Sequence, residues 1–150
     1  MSVRFKRTLS LFLLLLILFT LAFIWGNSMK SRVESTELSM GLLDRLKPFL
    51  SAFGIEPEDD HMLRKLAHFG EFALLGMELA LYVLLTWGRK KKAFAGAALF
   101  SLFTAITDET IQLFSGRACQ LSDVMLDFSG SICAIFGVWL LSLLMNKDSV

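Results

Sequence analysis

The stretch DETIQLFSGRACQLSDVMLDFSG, Asp108 to Gly130, decides how this chain folds, because it is a polar segment between two long apolar runs. It carries four carboxylates, two glutamines and one arginine, on either side of a Gly-containing turn, and the carboxylates recur at helix-like spacings. An ionisable group at the centre of a membrane helix costs at least about 2.5 kcal/mol, so such groups are rarely kept without a partner or a task. The polar residues are Asp108, Glu109, Gln112, Arg117, Asp123 and Asp127.

Composition places the chain among polytopic membrane proteins. Hydrophobic residues make up 55% of the 150 residues, against roughly 45–50% in soluble domains, and the mean hydropathy is +0.60. The formal net charge of +1 gives no indication of nucleic-acid binding. Cys119 and Cys133 lack a CxxC spacing, so we expect neither a disulfide nor a thiolate metal site.

Four apolar runs predict an all-α membrane protein, a bundle of about four transmembrane helices plus an outer-surface amphipathic segment. We treat residues 1–150 as a single domain, with an outer loop at 27–60 and spans at about 8–26, 66–87, 92–110 and 122–145. A cleavable signal peptide is the rival interpretation of the first run. Its apolar region would normally be about 7–15 residues long and end at a small-x-small site, so a retained helix is favoured.

The connections between the spans carry their own signals. Pro48 should kink or split any helix in the outer loop, and Pro57 is a plausible first helical residue with acids in the turn after it. The segment GRKKK predicts a tight basic turn between the second and third spans. The third span should end at a polar turn over residues 108–112. Ser122 should cap the fourth helix. The amphipathic patch of the outer loop comprises Leu42, Leu43, Leu46, Phe49, Leu50 and Phe53, and the acids after Pro57 are Glu58, Asp59 and Asp60.

Lysine and arginine residues predict the orientation. The N-terminal arm holds three of them and the GRKKK turn four, in short segments, whereas the opposite side has seven spread through two longer loops that are rich in acids. Because basic residues in short loops favour the cytoplasmic side, both termini should be cytoplasmic. The polar residues between Asp108 and Gly130 should then face the outer surface.

Helical periodicity groups the polar residues on inward faces. Lys65, His68 and Glu78 share one face of the second span. Small and polar residues form a stripe on each of the last two spans, which would allow close packing with the polar ends of three helices together. The stripes are Ala97, Ser101, Thr104, Asp108 and Gln112 on the third span, and Asp123, Asp127, Gly130, Ala134 and Gly137 on the fourth.

These residues predict a water-accessible site near the membrane surface. The groups suited to an anionic head group are Lys65, His68, Gln112 and Arg117, and those suited to acid/base chemistry or to holding a hard cation are His68, Asp108, Glu109, Asp123 and Asp127. In the alternative interpretation the acids only pair with the bases and hold the helix ends together. No cofactor motif is evident, a divalent cation would suit the carboxylates, and the pattern leaves open whether any metal is bound.

Three segments together resemble the VanZ-like family. They are RKLAHFGEFALLG (Arg64–Gly76), DETIQLFSGR (Asp108–Arg117) and DVMLDFSG (Asp123–Gly130), which match the pattern K-x-x-H-F, D-E-x-x-Q-x-F-x-x-G-R and D-x-x-x-[ND]-x-x-G. Ser115 departs from it, since many members have proline there. The resemblance implies a multi-pass protein of the bacterial cytoplasmic membrane whose namesake is linked to low-level teicoplanin resistance. It implies no settled reaction.

The leading hypothesis is an envelope protein that binds or modifies an anionic amphiphile, such as a lipid-linked cell-wall precursor or a glycopeptide-related ligand, at the outer leaflet. The alternative is a non-catalytic membrane protein that limits drug access or supports an envelope complex, with the amphipathic patch as its main surface. A proton-coupled transporter would use Glu71 and Glu78, although Glu71 could equally pair with Arg64 or Lys65. Apart from the lipid bilayer, the sequence specifies no partner and no oligomeric state.

Overall fold

A computed structural model describes residues 2–52 and 60–145 of the chain, and within these ranges it contains five α-helices. Four of them are long and apolar enough to cross a membrane. The predicted all-α membrane fold is therefore confirmed. The helices are α1 (Val3–Ser28), α2 (Arg32–Ser51), α3 (His61–Trp87), α4 (Lys91–Phe114) and α5 (Leu121–Leu144).

The first helix has one face for the bundle and a wide apolar face around it. Its buried aliphatic residues recur every three to four positions, the period that places them on one side of a helix. Most of the remaining leucine and phenylalanine side chains are exposed, as expected of a helix surrounded by lipid rather than by water. The buried aliphatic residues are Leu13, Ile17, Leu21 and Ile24.

Helices α3 and α5 pack backbone against backbone. A Cβ added at Gly76 would lie 2.7 Å from the Cα of Ser131, and one added at Gly130 would overlap the carbonyl oxygen of Phe69. The Ser131 hydroxyl fixes the contact by donating a 2.8 Å hydrogen bond to the carbonyl oxygen of Phe72. Small residues thus allow the close approach expected of membrane helices, and they set the distance between the two helices that carry His68 and Asp127.

The inward stripe predicted on the third span is confirmed, because every residue of it on α4 is buried. On α5 the stripe is confirmed only in part. Asp127 and Gly130 are buried, but Gly137 has no atom of another residue within contact range of an added Cβ. Ser131 and Ile135 complete the buried face of α5 instead.

Two predicted helix ends were wrong. Residues 108–112 are not a turn, because α4 continues through them to Phe114. Asp108 and Gln112 are buried and hydrogen-bonded to each other, so these polar side chains find partners without the helix having to end. Ser122 does not cap the last helix, because α5 starts one residue earlier with Gln120 at its N-cap.

The outer loop contains the additional helix α2. Pro48 lies inside it, so the prediction that this residue would kink or split the helix was wrong as regards a split; only the final turn to Ser51 follows the proline. The apolar patch of α2 has buried and exposed members: Leu43 is 2% exposed, whereas Phe49 is 63% exposed. The predictions for the Leu50 side chain and for Phe53, Pro57, Glu58 and Asp59 fall outside the described residues, and Asp60 is the N-cap of α3.

The chain direction brings four helix termini together. Gly88 has a φ of 67°, which lets the chain reverse between the end of α3 and the start of α4. The predicted tight basic turn is therefore confirmed. A second reversal, through residues 115–120, joins α4 to α5 and uses Gly116 with φ 75°. The ends of α1 and α4 therefore lie beside the beginnings of α3 and α5, and we call this the site end of the bundle.

Candidate functional site

A cavity of about 180 Å³ lies at the site end, and we call it the chamber. It brings together all of the residues predicted for the site except Asp108, which lies fully buried beneath it. The predicted residues that line it are Lys65, His68, Glu109, Gln112, Arg117, Asp123 and Asp127. Residues from three helices and from the turn after α4 thus contribute side chains to one space.

Asp108 is held in place by two hydrogen bonds. The Ser28 hydroxyl donates to its Oδ1 at 2.6 Å, and the Gln112 side-chain amide donates to its Oδ2 at 2.7 Å. Ser28 ends α1, and Gln112 lies one turn beyond Asp108 on α4. The carboxylate orientation is therefore fixed from two helices.

His68 and Asp127 lie close to Asp108 without bonding to it. The Nδ1 atom of His68 is 3.9 Å from Oδ2 of Asp108 and 3.9 Å from Oδ1 of Asp127. Within residues 2–52 and 60–145, neither this nitrogen nor either Asp127 oxygen has a hydrogen-bond partner, although all three atoms are buried. Buried polar atoms are normally paired, so this gap is unusual.

The remaining two carboxylates have partners. Oδ1 of Asp123 lies 3.7 Å from the Lys65 ammonium at the partly exposed rim of the chamber. Glu109, which is 2% exposed, accepts a 3.0 Å hydrogen bond from the backbone N–H of Gln120. Glu109 therefore fixes the start of α5 as well as lining the chamber.

Arg117 is placed by the turn after α4. Its backbone N–H donates to the carbonyl oxygen of Gln112 at 3.0 Å, just after the positive-φ residue Gly116. Its guanidinium forms no hydrogen bond or ion pair with any residue in the described ranges. Partial burial, with the Arg64 charge nearby, lowers the pKa of Arg117. Because arginine remains protonated at neutral pH, the chamber contains a cation that feels the charges of Asp108, Glu109 and Asp123 but is bonded to none of them.

Two further arginines line the chamber that were not among the predicted site residues. Arg64 lies 3.4 Å from Asp60, one turn earlier in the chain, and its guanidinium also reaches the Thr36 hydroxyl at 3.5 Å. Arg32 comes from the first turn of α2. Arg64 adjoins Lys65 in the motif and could have been included, whereas the position of Arg32 depends on how α2 folds back.

A second cavity, of about 310 Å³, lies between α1, α2 and α3, and we call it the groove. It shares three lining residues with the chamber, namely Arg64, His68 and Arg117. Its apolar lining comes from Phe23, Leu38, Leu42 and Leu63. A chamber lined by charged groups of both signs and a largely apolar groove therefore meet at one boundary.

The two glutamates considered for a proton relay bind α1. Oε1 of Glu71 accepts from the Asn27 amide at 3.1 Å, and the alternative in which Glu71 pairs with Arg64 or Lys65 is not seen in the described residues. Oε1 of Glu78 accepts from the Thr20 hydroxyl at 3.0 Å, deeper in the bundle. Glu71 lines the groove, whereas Glu78 lines neither cavity. Both contacts fix α1 against α3.

Comparison with known proteins agrees with this architecture. The family model VanZ/LLP1 matches residues 9–144, which include most of α1, the other three apolar helices and every predicted site residue. Searches of curated proteins and of solved structures found no significant match. The match covers nearly the whole chain, so this integral membrane protein belongs to the VanZ/LLP1 family.

Proposed function

We propose that the protein binds an anionic amphiphile, with a phosphate or carboxylate head group in the chamber. The observation that carries the proposal is the half-buried guanidinium of Arg117, which has no partner among the described residues. Arginine can hold a phosphate or carboxylate through two parallel hydrogen bonds. Arg32 has no partner within residues 2–52 and 60–145 either, and Lys65 lies at the rim.

The groove supports an amphiphile over a small soluble anion. A head group at Arg117 would lie where the chamber meets the groove, so an attached acyl or prenyl chain could continue between α1 and α2. Burial of a hydrocarbon chain contributes about 0.8 kcal/mol for each CH₂ group. Phe23, Leu38 and Leu63 supply the apolar contacts for such a chain.

The distribution of basic residues supports a site at the outer leaflet of the bacterial cytoplasmic membrane. Arg4, Lys6 and Arg7 precede the apolar part of α1, and four more basic residues lie at 89–92, at the end of the bundle opposite the chamber. Basic residues in short segments favour the cytoplasm. Both termini are then cytoplasmic, and the chamber opens at the outer surface.

A lipid-linked cell-wall precursor is the class of ligand that connects this site with the family's namesake. Binding or modification of such a precursor would change the amount available to a glycopeptide at the cell surface. We therefore extend the proposal to low-level teicoplanin resistance. The alternative, a shield formed by the surface of α2, draws support from Phe49, which is 63% exposed.

Mass spectrometry of lipids extracted from the purified protein tests the proposal. We expect an anionic amphiphile to be enriched over the bulk membrane with wild type and with an Arg89→Ala variant, but not with Arg117→Ala. Arg89 is an exposed arginine in the basic turn, so it controls for the loss of one cation. Equal lipid content in the two variants would contradict a head-group site at Arg117.

A strain comparison separates modification from binding. Envelope lipids would be profiled in a deletion strain complemented with wild type or with Asp108→Asn, and teicoplanin susceptibility would be measured in both. A lipid whose mass changes only with wild type would demonstrate chemistry. Unchanged masses with wild-type-dependent resistance would favour binding, and unchanged susceptibility in every strain would remove the extension to resistance.

A further inference from the structure

The floor of the chamber has the spacing of a metal site. One atom from each of His68, Asp108 and Asp127 lies within 4.8 Å of the other two, and the imidazole nitrogen is 3.9 Å from each aspartate. These separations exceed the roughly 2.7–3.2 Å of a hydrogen bond. Two ligands that are each about 2.1 Å from one ion lie at most about 4.2 Å apart. Both imidazole separations fall within this limit, and the two aspartate oxygens, which lie within 4.8 Å of each other, must also come within it when an ion binds.

The lack of partners at the buried Asp127 carboxylate is a second observation that points to a cation. It is 1% exposed, and neither of its oxygens has a hydrogen-bond partner among residues 2–52 and 60–145. A buried carboxylate without a counter-charge is strongly unfavourable. The rim cation Lys65 lies against Asp123 instead. Asp127 therefore needs either a proton of its own or a cation within the gap.

Asp108 is already oriented as metal-binding carboxylates usually are. Ser28 donates to one of its oxygens and Gln112 to the other, which fixes the plane of the carboxylate and holds Oδ2 at 3.9 Å from His68 Nδ1. Hydrogen bonds of this kind hold ligands in position and raise metal affinity. The three side chains come from α3, α4 and α5, and the backbone contact at Gly130 holds the first and last of these helices together.

A protonated histidine would be the other source of positive charge. A charge-assisted hydrogen bond from an imidazolium to a carboxylate is about 2.7–2.9 Å long. Neither aspartate lies that close to His68 Nδ1. The two separations are equal at 3.9 Å. They therefore favour an ion placed between the three side chains over a proton on His68 that bonds to one aspartate.

We propose that His68 Nδ1, Asp108 Oδ2 and an Asp127 carboxylate oxygen bind one divalent transition-metal ion of the Zn²⁺ or Mn²⁺ class. Two carboxylates with a neutral imidazole balance a charge of 2+. A mixed nitrogen and oxygen set suits these ions better than Ca²⁺ or Mg²⁺, which prefer oxygen ligands alone. His68 and Asp127 line the chamber, so the open coordination positions face the head-group space. Coordination of a head-group oxygen there rests on the proposed function, whereas the metal site itself does not.

Titration of the full-length protein tests the site. Purified protein would be stripped with a chelator, reconstituted in phosphatidylcholine nanodiscs, and titrated separately with Zn²⁺ by calorimetry and with Mn²⁺ by electron paramagnetic resonance. Wild type should bind one ion per chain. Because no anionic lipid is present, failure of the proposed head-group binding would not affect the measurement.

Asp127→Asn should weaken the affinity by at least about tenfold, and Asp108→Asn should do the same. The matched control is Asp44→Asn, the same change at an exposed aspartate of α2 that pairs with Lys47, and its affinity should equal that of wild type. Circular dichroism would verify the helical content of each variant. No saturable binding of either ion to wild type, or equal affinities in Asp127→Asn and Asp44→Asn, would overturn the proposal.

Discussion

The Ser28 hydroxyl donates a 2.6 Å hydrogen bond to Oδ1 of Asp108, eighty positions later in the chain. Ser28 is the last residue of the first helix and Asp108 lies near the end of the fourth, and both are fully buried. One short bond therefore joins the end of the most apolar helix to the polar floor of the chamber. Asn27, its neighbour, similarly bonds to Glu71 on α3.

Removal of the Ser28 hydroxyl should loosen this connection. Ser28→Ala leaves one oxygen of Asp108 without its donor, and we expect a loss of about 1 kcal/mol in the free energy of unfolding, the usual scale for hydrogen bonds between membrane helices. The free energy of unfolding would be measured by titration with sodium dodecyl sulfate, with the helical content monitored by circular dichroism. The control is Ser10→Ala, since the Ser10 hydroxyl bonds only to the backbone of its own helix. Equal stability of the two variants would argue against a connecting role for Ser28.

Gly130→Ala should separate α3 from α5. The added methyl group would overlap the carbonyl oxygen of Phe69 and lie 3.3 Å from the amide nitrogen of Ala73. Overpacking of this kind typically costs about 1–3 kcal/mol, which the same unfolding assay would resolve. Gly137→Ala provides the comparison on the same helix, because nothing lies within 4 Å of its added Cβ. Destabilisation of the Gly137 variant as large as that of Gly130→Ala would exclude the close contact as the cause.

Much of this site was predictable because membrane helices impose a strong rule on polar residues. Asp108 and Gln112 recur at the spacing of one helical turn, and burial of ionisable groups in an apolar helix demands partners. The sequence thus predicted the inward face of α4 fully and that of α5 in part. It did not predict where α4 ends, because satisfied side chains let a helix continue through a polar segment that resembles a turn.

The contribution of α1 could not be read from the sequence. Thr20 and Ser28 are ordinary residues within or beside an apolar run, and nothing local distinguishes a hydroxyl that bonds within its helix from one that reaches another. Their partners, Glu78 and Asp108, lie far along the chain. Arg32 was missed for the same reason, since its place at the chamber depends on the packing of α2 and not on its neighbours in sequence.

Labelling of Cys119 should report the orientation. Cys119 is exposed in the turn beside the chamber, so in a Cys133→Ser background an impermeant maleimide should label intact cells. Protection of Cys119 in intact cells, with labelling after permeabilisation, would place the chamber on the cytoplasmic side.

The same thiol gives a pH test of the local charge. Desolvation and the nearby Glu109 carboxylate raise the pKa of Cys119. A raised pKa means less thiolate at neutral pH, so labelling of purified protein should be slower than that of a free thiol and should accelerate as the pH rises. Glu109→Gln keeps an acceptor for the Gln120 N–H but removes the charge, and it should shift the rate profile to lower pH. An unshifted profile would show that Glu109 does not act on this thiol.

Asp127→Asn should stabilise the protein when metal is absent. The substitution removes the charge of a buried carboxylate whose oxygens have no partner within residues 2–52 and 60–145, and an uncompensated buried charge is destabilising. Thermal unfolding in a chelator should therefore show a higher midpoint for the variant. Added Zn²⁺ should raise the midpoint of wild type and leave that of Asp127→Asn unchanged. A lower midpoint for the variant in the chelator would contradict this explanation.

The central claim is that Arg117 binds an anionic head group. Purified protein would be titrated in uncharged detergent with dioctanoyl phosphatidylglycerol or dioctanoyl phosphatidylcholine and analysed by native mass spectrometry. Wild type and Arg89→Ala should prefer the anionic lipid, and Arg117→Ala should bind it about tenfold more weakly or worse, because a hydrogen bond to a charged group contributes about 1.5–3 kcal/mol. Equal affinity of Arg117→Ala and Arg89→Ala for phosphatidylglycerol, or no preference of wild type between the two lipids, would contradict the claim.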